Sequence, residues 1–304
     1  MNNFKVRKKK INIATVVFCS LMMFPAVSHI LIFWAGIQFS SIKMAFTDYE
    51  TGKFTLLGNF DQAITLLFKT KGSDVSLAFT NTCLFFIAGV VTTFISLFAA
   101  YMLFKKMASY KFTRLALYLP AAISGLMIAM LFNQFCMSDG PLGAIVRSFG
   151  GDMQGTSLMT NDQTALISIM FFDLWVGLGG NLIIWYATMN RIPPHLLEYG
   201  EMEGIGVFKE FFTVIMPMIG PTFVVMFTLQ IVNFFGSSGS VLVFTQGNYG
   251  TMTISFWLFN IAMKETESLY NAANAAGLMF FVLTIPLIVV GRKIMNKYGQ
   301  EVQY

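Results

Sequence analysis

Six segments of this chain contain no aspartate, glutamate, lysine or arginine, and they constrain its fold more than any other feature. They cover residues 11–42, 75–104, 115–138, 174–190, 211–263 and 268–291. A helix needs about 20 residues to cross the ~30 Å hydrocarbon core of a bilayer. Five segments are long enough, and the fourth becomes long enough, as 163–190, if Asp173 lies inside it. Because backbone groups in lipid must be hydrogen-bonded within their own segment, the sequence predicts membrane-spanning helices.

Two of these segments need interpretation. The N-terminus, KVRKKK followed by apolar residues and PAVS, imitates a signal peptide, but the apolar stretch continues to Ile42, which favours a retained span. The segment 211–263 has a turn-forming middle, GSSGSVLVFTQGNYG, after which only TMTISFWLFNIAM remains. We therefore expect one span there, followed by a short helix at the outer interface or against the bundle.

The distribution of positive charge predicts the orientation. With six spans and a cytoplasmic N-terminus, the inner segments 1–10, 105–114, 191–210 and 292–304 hold fourteen of the 20 Lys and Arg residues. This agrees with the positive-inside rule, whereas a seventh span would place Arg292 and Lys293 outside. The net charge of +5 therefore reflects topology rather than nucleic-acid binding, and the basic N-terminus suits anionic membrane lipid.

The predicted fold class is an all-α integral membrane protein with six transmembrane helices and both termini in the cytoplasm. A basic cytoplasmic N-terminus, 1–10, precedes a six-span domain, 11–295, and a cytoplasmic tail, 296–304. The spans are expected at about 11–40, 76–104, 115–137, 163–189, 212–235 and 268–291, with a cytoplasmic loop at 191–217.

The residue inventory argues against an enzyme. The chain has 2 histidines and 3 cysteines without metal-motif spacing, and no clustered acid–base set, so we predict no catalytic and no metal site. It also lacks the G-x-x-x-x-G-K-[ST] motif, so any ATP must be bound by another chain.

The loop between the fourth and fifth predicted spans is unusual because it is acidic and interrupted by glycines. It reads EYGEMEGIGVFKEFFTVIMPMIGP over 198–221 and holds four of the 15 acidic residues. The preceding Pro193 and Pro194 suit the first turn of a helix, and Gly204 and Gly206 are expected to end it. An ordinary loop with an amphipathic helix is the simplest interpretation, but the order of residue types indicates more.

This loop resembles the cytoplasmic EAA loop of binding-protein-dependent ABC importer permeases, which reads roughly IPxELYEAAxxDGAxxxxxFxxITLPxLxP. The matching positions are Ile192, Pro193, Leu196, Glu198, Gly204, Phe208 or Phe212, Pro217 and Pro221. The chain departs from the pattern in having Tyr199-Gly200 for two alanines and Glu203-Gly204-Ile205 for Asp-Gly-Ala.

Most of the chain resembles the larger-partner, maltose-type carbohydrate permeases. The motifs, in family order, are S-I-K-M-A-F-T-D-Y (41–49), L-G-N-F (57–60), T-N-T-C-L-F (80–85), Y-L-P-A-A-I-S (118–124), D-G-P-L-G (139–143) and L-W-V-G-L-G (174–179). The resemblance implies a type I ABC importer permease in a bacterial cytoplasmic membrane. It also implies a second homologous six-span permease, two cytosolic ATPase subunits that carry ATP and Mg²⁺, and an extracellular solute-binding protein.

In such permeases the loop couples to the ATPase, so the resemblance assigns coupling to a set of loop residues. They are Glu198, Gly200, Glu201, Glu203, Gly204, Phe208 and Pro217. The main roles fall to Glu198 and Gly204, while Phe208 and Pro217 would fix the angle at which the chain returns to the membrane.

The solute pathway is predicted from polar residues inside the spans. An ionised carboxylate within a span is costly, so Asp173 should face either a cavity or a polar partner on a neighbouring helix. The resemblance favours a sugar contact, with Gly177 making room. Gln230, Asn233 and Ser237 have the spacing of one helical face and, with Ser238, are expected either to line the path or to join helices.

The leading hypothesis is a non-enzymatic pore subunit of an ATP-driven importer for a sugar or oligosaccharide. One alternative keeps the ABC assignment with a non-sugar solute. Another is an ion-coupled secondary transporter, a class that usually shows internal repeats and several intramembrane charges.

Overall fold

The computed structural model describes residues 13–68, 75–107, 109–151, 153, 155, 157–236, 239–264 and 269–298. Apart from one isolated bridge between Thr47 and Phe54, this part of the chain contains helices, turns and irregular segments. We number the helices α1 Ile13–Ala45, α2 Gly58–Phe68, α3 Val75–Phe104, α4 Tyr110–Ala122, α5 Gly125–Phe135, α6 Pro141–Ser148, α7 Ala165–Met189, α8 Pro194–Met202, α9 Val207–Phe235, α10 Gly239–Phe244, α11 Ile254–Lys264 and α12 Tyr270–Tyr298.

Five of these helices, α1, α3, α7, α9 and α12, are long and apolar enough to cross a membrane. The pair α4 and α5 makes a sixth crossing if it is counted as one broken span. Only Ala45 is buried in α1, so its apolar side chains are left to face lipid or another subunit. The protein is therefore an all-helical, multi-pass membrane protein.

The segment expected to form the third span, 115–137, differs from a straight helix. Helices α4 and α5 meet at an angle of 107°, with Ile123 and Ser124 extended between them. Pro120 lies one turn before the break and contributes no backbone N–H to the helix, which weakens its last turn. The chain therefore has a bend where hydropathy alone predicts a continuous crossing.

The fifth predicted span begins earlier than expected, at Val207 rather than near residue 212. Its first turns include a π-helical turn, Phe211–Ile215, in which the Met216 N–H bonds to the Phe211 carbonyl. Pro217 lies two residues after this turn, and the wider turn accommodates a residue that cannot donate to the helix ladder.

The described residues divide into two compact units. One comprises 13–64 with 269–278, and the other comprises the described residues from 65 to 264 with 279–298. In the first unit the Asn59 amide donates to the carbonyls of Met44, Ala45 and Thr47, at 3.2, 3.0 and 2.9 Å. This amide caps the carbonyl end of α1, which gives the L-G-N-F motif a structural role.

The second unit is organised by the packing of α3 on α7. Its inner core contains Tyr101, Leu182, Trp185 and Met189, each at most 1 % exposed. Threonines within α3 satisfy their hydroxyls on the helix itself. For example, Thr92 and Thr93 donate to carbonyls one turn back, at 2.8 and 2.9 Å.

The T-N-T-C-L-F motif of α3 holds the segment that follows α10. The Asn81 amide donates to the carbonyls of Gly250 and Met252, both at 2.8 Å, and the Ile254 N–H donates to the Thr82 hydroxyl at 3.1 Å. The short apolar helix α11 is therefore fixed against α3 at its first residue. This is the packed alternative of the two predicted for 251–263.

Candidate functional site

The predicted coupling loop forms a short helix, α8, whose ends are well defined. Pro193 and Pro194 occupy its N-cap and first position. At the other end the Ile205 N–H bonds to the Gly200 carbonyl and the Gly204 N–H to the Glu201 carbonyl, both at 3.0 Å. These two bonds form a Schellman motif, which stops a helix at a left-handed residue.

Two glycines of this loop differ in whether the backbone requires a glycine at their position. Gly204 has a φ of +66°, a region that disfavours residues with a Cβ, so a glycine is needed at this position. Gly200 lies inside α8, and a Cβ added there would meet no heavy atom within 4 Å. The Schellman motif therefore explains Gly204, whereas no close approach explains Gly200.

The loop presents an exposed surface that combines apolar and acidic side chains. Tyr199, Met202 and Phe208 are 62 %, 83 % and 70 % exposed. Glu198 and Glu203 are exposed on the same short stretch. Large apolar side chains exposed together in this way are typical of interaction surfaces.

The end of α3 supports the loop through one helical face. Phe98 stacks on Phe208 with ring centroids 6.3 Å apart, and the Tyr101 hydroxyl donates to the Val207 carbonyl at 2.9 Å. One turn further, Lys105 Nζ lies 3.3 Å from a Glu201 carboxylate oxygen and 3.1 Å from a Glu210 carboxylate oxygen. Lys105 thereby joins both sides of the glycine turn to α3.

The two carboxylates around Lys105 lie in different environments. The Glu210 side chain is 4 % exposed and the Glu201 side chain 68 % exposed. Burial acts to lower the pKa of Lys105, but the hydrogen bonds and charges of Glu210 and Glu201 outweigh it, so the pKa is raised above its ordinary value of 10.5. Lys105 is therefore a cation at physiological pH.

Lys105 and Glu210 were not among the predicted site residues. In the sequence Lys105 is one of four basic residues in an inner loop, and Glu210 is one of four acids in the coupling segment. The one available signal was that Glu210 directly precedes an apolar run, where a carboxylate needs a partner.

Pro217, predicted to fix the angle of return, lies instead within α9 and is exposed. It lines an apolar groove of about 300 Å³ with residues of α9 and α12. The left-handed turn between α8 and α9 lies at Gly204, before this proline.

Three of the predicted pathway residues line one small cavity. Asp173 and Gly177 of α7 and Gln230 of α9 surround a space of about 200 Å³. The remaining lining residues are Phe85, Ala88, Gly89, Thr92, Leu174 and Asn181. The cavity therefore combines a carboxylate, two amides and a hydroxyl, which are groups that bind sugar hydroxyls by hydrogen bonds.

Asp173 both has a polar partner and borders a cavity, the two surroundings that its sequence position predicts. Its carboxylate accepts a hydrogen bond from the Ser240 hydroxyl of α10, and it also lines the cavity. No sequence pattern indicated Ser240, which lies in the turn-rich segment after the fifth span. A structural bond and a cavity-facing position thus coexist in one side chain.

Glycines allow the helices around the cavity to approach one another closely. The Gln230 amide occupies the space where a Cβ on Gly89 would lie, so α3 and α9 approach closely at this point. A Cβ on Gly177 would lie 3.3 Å from a methyl carbon of Thr92. The prediction that Gly177 makes room is consistent with this spacing.

Of the remaining predicted pathway residues, the one that the structure describes, Asn233, does not line the cavity. Asn233 begins a 3-10 turn at the end of α9 and is exposed, away from the lining set. Ser237 and Ser238 lie outside the described residues. In the described part of the chain no group of three or more His, Cys, Asp or Glu residues could hold a metal ion.

Sequence comparison relates the chain to sugar permeases over most of its length. It is 23 % identical over 292 residues to the multiple sugar-binding transport system permease protein MsmF of Streptococcus mutans, covering 94 % of this chain and 92 % of the relative. It is 24 % identical over 267 residues to the arabinooligosaccharides transport system permease protein AraP of Halalkalibacterium halodurans, covering 85 % and 81 %. No family profile matches the chain.

Structural comparison gives the fold. A bacterial ABC transporter involved in the import of the acidic polysaccharide alginate contains a chain that superposes with a TM-score of 0.79 at 20 % identity, covering 95 % of this chain and 98 % of that one. The same transporter, solved in complex with an alginate pentasaccharide-bound periplasmic protein, matches equally well, at 0.79. The fold described above is therefore that of an ABC importer subunit.

Proposed function

We propose that this chain, a carbohydrate ABC-transporter permease, forms one half of the membrane pore of a binding-protein-dependent importer for a sugar or oligosaccharide. The observation that carries the proposal is the structural match over 95 % of the chain to a subunit of a polysaccharide importer. The sugar-permease relatives over more than four fifths of the chain support the same cargo class. The chain itself is not an enzyme.

The proposal includes a finer assignment of the cytoplasmic loop. Helix α8 is the coupling helix, and the ATPase contact is its exposed Glu198, Tyr199 and Met202 together with Glu203 and Phe208, which follow it. A helix of nine residues with a fixed end transmits displacement as a unit, whereas a loop without internal hydrogen bonds would not. The larger-partner, maltose-type assignment belongs to this finer proposal.

The partners follow from the same mechanism. A second homologous permease completes the pore, two cytosolic ATPase subunits bind ATP and Mg²⁺, and an extracellular solute-binding protein delivers the sugar. The chain lies in a bacterial cytoplasmic membrane with both termini inside. The apolar surface of α1 would contact lipid or the second permease.

The cavity around Asp173 is proposed as part of the sugar path. Carboxylate and amide oxygens accept hydrogen bonds from sugar hydroxyls, and amide and hydroxyl donors bind sugar oxygens. Because its volume is about 200 Å³ in this chain alone, the cavity would be completed by the second permease.

The experiment that tests the function is purification of the tagged chain from its native membrane, followed by reconstitution into liposomes. We expect a second six-span protein and an ATPase to co-purify, and uptake of radiolabelled sugar to require ATP on the cytoplasmic side. Uptake driven by a proton or sodium gradient without ATP would instead establish the secondary-transporter alternative. ATP-dependent uptake of amino acids or phosphate, but not sugar, would keep the ABC class and overturn the cargo.

The coupling assignment has its own test in Gly204→Pro. Proline requires a φ near −65°, whereas Gly204 has +66°, so the turn cannot form around the new residue. We expect ATP-dependent uptake to be abolished while the chain still inserts and the second permease still co-purifies. Normal uptake by the variant would refute the coupling role of the turn.

A further inference from the structure

We infer that Lys105 is a positioning residue for coupling, which fixes α8 and the start of α9 to the end of α3 as one rigid element. The inference rests on the proposed function, because it concerns how displacement of the coupling helix reaches the spans. Its basis is geometric: one ammonium group lies within 3.3 Å of carboxylates on both sides of the glycine turn.

The position of Lys105 in the fold allows it to act as a brace, by which we mean the two ion pairs that join α8 and α9 to the end of α3. Glu201 lies in the last turn of α8, and Glu210 lies at the start of α9. Between them the chain reverses through Gly204 and Gly206. The Schellman bonds fix the end of α8, but Gly206 follows in extended backbone before α9 begins. Because a glycine resists rotation little, the angle between α8 and α9 needs support from outside the loop.

The polar and ring contacts of α3 hold the α9 side, while Leu197 of α8 packs against the apolar cluster that includes Tyr101. Phe98 stacks on Phe208, and Tyr101 donates to the Val207 carbonyl. Of the ion pairs made by described residues, the one that reaches α8 is Lys105 with Glu201. Lys105 is thus the residue through which α3 is connected to the coupling helix by charge.

The two ion pairs differ in strength for a physical reason. The Glu210 carboxylate is almost fully buried, so water cannot replace Lys105 as its partner. The Glu201 carboxylate is largely exposed, and water and salt weaken its attraction. Lys105 is therefore held firmly to α9 and more loosely to α8. A substitution of Glu201 therefore removes the weaker ion pair without leaving an unpaired charge buried in the protein.

Spin-label distances test the brace directly. Nitroxides would be placed at Met107→Cys after α3 and His195→Cys on α8, both exposed positions outside the proposed ATPase contact, in a chain whose three natural cysteines are replaced. We expect a narrow distance distribution in the purified complex. We expect its width to increase at least twofold in Glu201→Gln and in the double variant Lys105→Met/Glu210→Leu, which removes the brace without leaving Glu210 unpaired. The KM for ATP should stay unchanged, since another chain binds the nucleotide.

Two variants serve as controls. Lys106→Met removes the neighbouring exposed charge and should leave the width unchanged, and Lys105→Arg keeps both ion pairs and should do the same. If Lys105 only supported the fold, Glu201→Gln would leave the width of the folded protein unchanged, and the inference would be overturned. Absence of an ATPase from the purified complex would overturn the proposed function instead, while the label widths would still report on the brace.

Discussion

The proposed coupling loop and the Asp173 cavity are built in different ways by the same chain. At the loop, α3, α8 and α9 meet through stacked rings, a buried ion pair and a complete helix-ending motif. At the cavity, α3, α7 and α9 approach each other through glycines, and the polar groups face a space of about 200 Å³. The loop is filled by contacts between side chains of this chain, whereas the helices around Asp173 leave a cavity lined by polar groups.

The difference indicates how the two regions respond to substitution. When one partner of a buried ion pair is removed, the other charge stays buried without compensation. The free energy of its desolvation then destabilises the fold in full. Where a polar group borders a cavity, water can replace a lost hydrogen bond, so the cost to the fold is small. We therefore expect changes at the loop to affect both folding and coupling, and changes at the cavity to affect transport with the fold intact.

The largest effect on stability is expected from Lys105→Met. The substitution leaves the Glu210 carboxylate buried without its ammonium partner, and breaking such a pair typically costs about 3–5 kcal/mol. Thermal unfolding of the purified complex, followed by loss of the monodisperse species with temperature, would measure it. Adding Glu210→Leu should recover most of the loss, because the pair is then replaced by apolar side chains.

Lys106→Met is the matched control for this prediction. Lys106 is exposed, so its removal should change stability by no more than about 0.5 kcal/mol. Equal destabilisation by the Lys105 and Lys106 variants would show that loss of positive charge from the inner loop, not loss of the buried pair, is responsible. The proposed difference between the two regions would then lose its main support, the buried ion pair at the loop.

A smaller effect is expected at the glycine turn, and two glycines provide the comparison. Gly204→Ala forces a Cβ into left-handed backbone, which costs roughly 1–2 kcal/mol. Gly200→Ala places its Cβ in open space within a helix and should stabilise α8 by up to about 1 kcal/mol. The melting temperatures of the two variants should therefore move in opposite directions. A shift of the same sign in both would mean that the turn geometry does not determine the loop's stability.

The family resemblance and the structure agree on this loop in part. The sequence placed a proline-started helix before Gly204, and the Schellman motif is the physical reason for that glycine. Gly200, which departs from the alanine of the family pattern, has no close contact that requires it. The resemblance could not explain the departure, and the structure does not explain it either.

Charge-free segments predicted the long helices because lipid requires them to be apolar and continuous. The 107° bend between α4 and α5 was missed because both halves are equally apolar, so hydropathy carries no signal for it. Lys105–Glu210 and Asp173–Ser240 were missed for another reason. Each joins residues far apart in the sequence, and the tertiary fold alone brings them together.

The smallest effect on the fold, and the sharpest test of the cavity, is expected from Asp173→Asn. Asparagine keeps an oxygen that can accept the Ser240 hydrogen bond, so stability should stay within about 0.5 kcal/mol. The variant loses the negative charge that would bind sugar hydroxyls. Hydrogen bonds to charged groups contribute about 1.5–3 kcal/mol, so uptake at subsaturating sugar should fall roughly tenfold or more.

Ser240→Ala separates the two roles of Asp173. The serine bonds to the carboxylate but is not part of the cavity lining, so its removal should lower stability by about 1 kcal/mol and change uptake little. If Ser240→Ala and Asp173→Ala instead give equal losses of stability and uptake, while Asp173→Asn gives neither, the carboxylate serves only to join α7 to α10. The cavity would then be a packing feature like the closed core around the loop, and the distinction between the two regions would disappear.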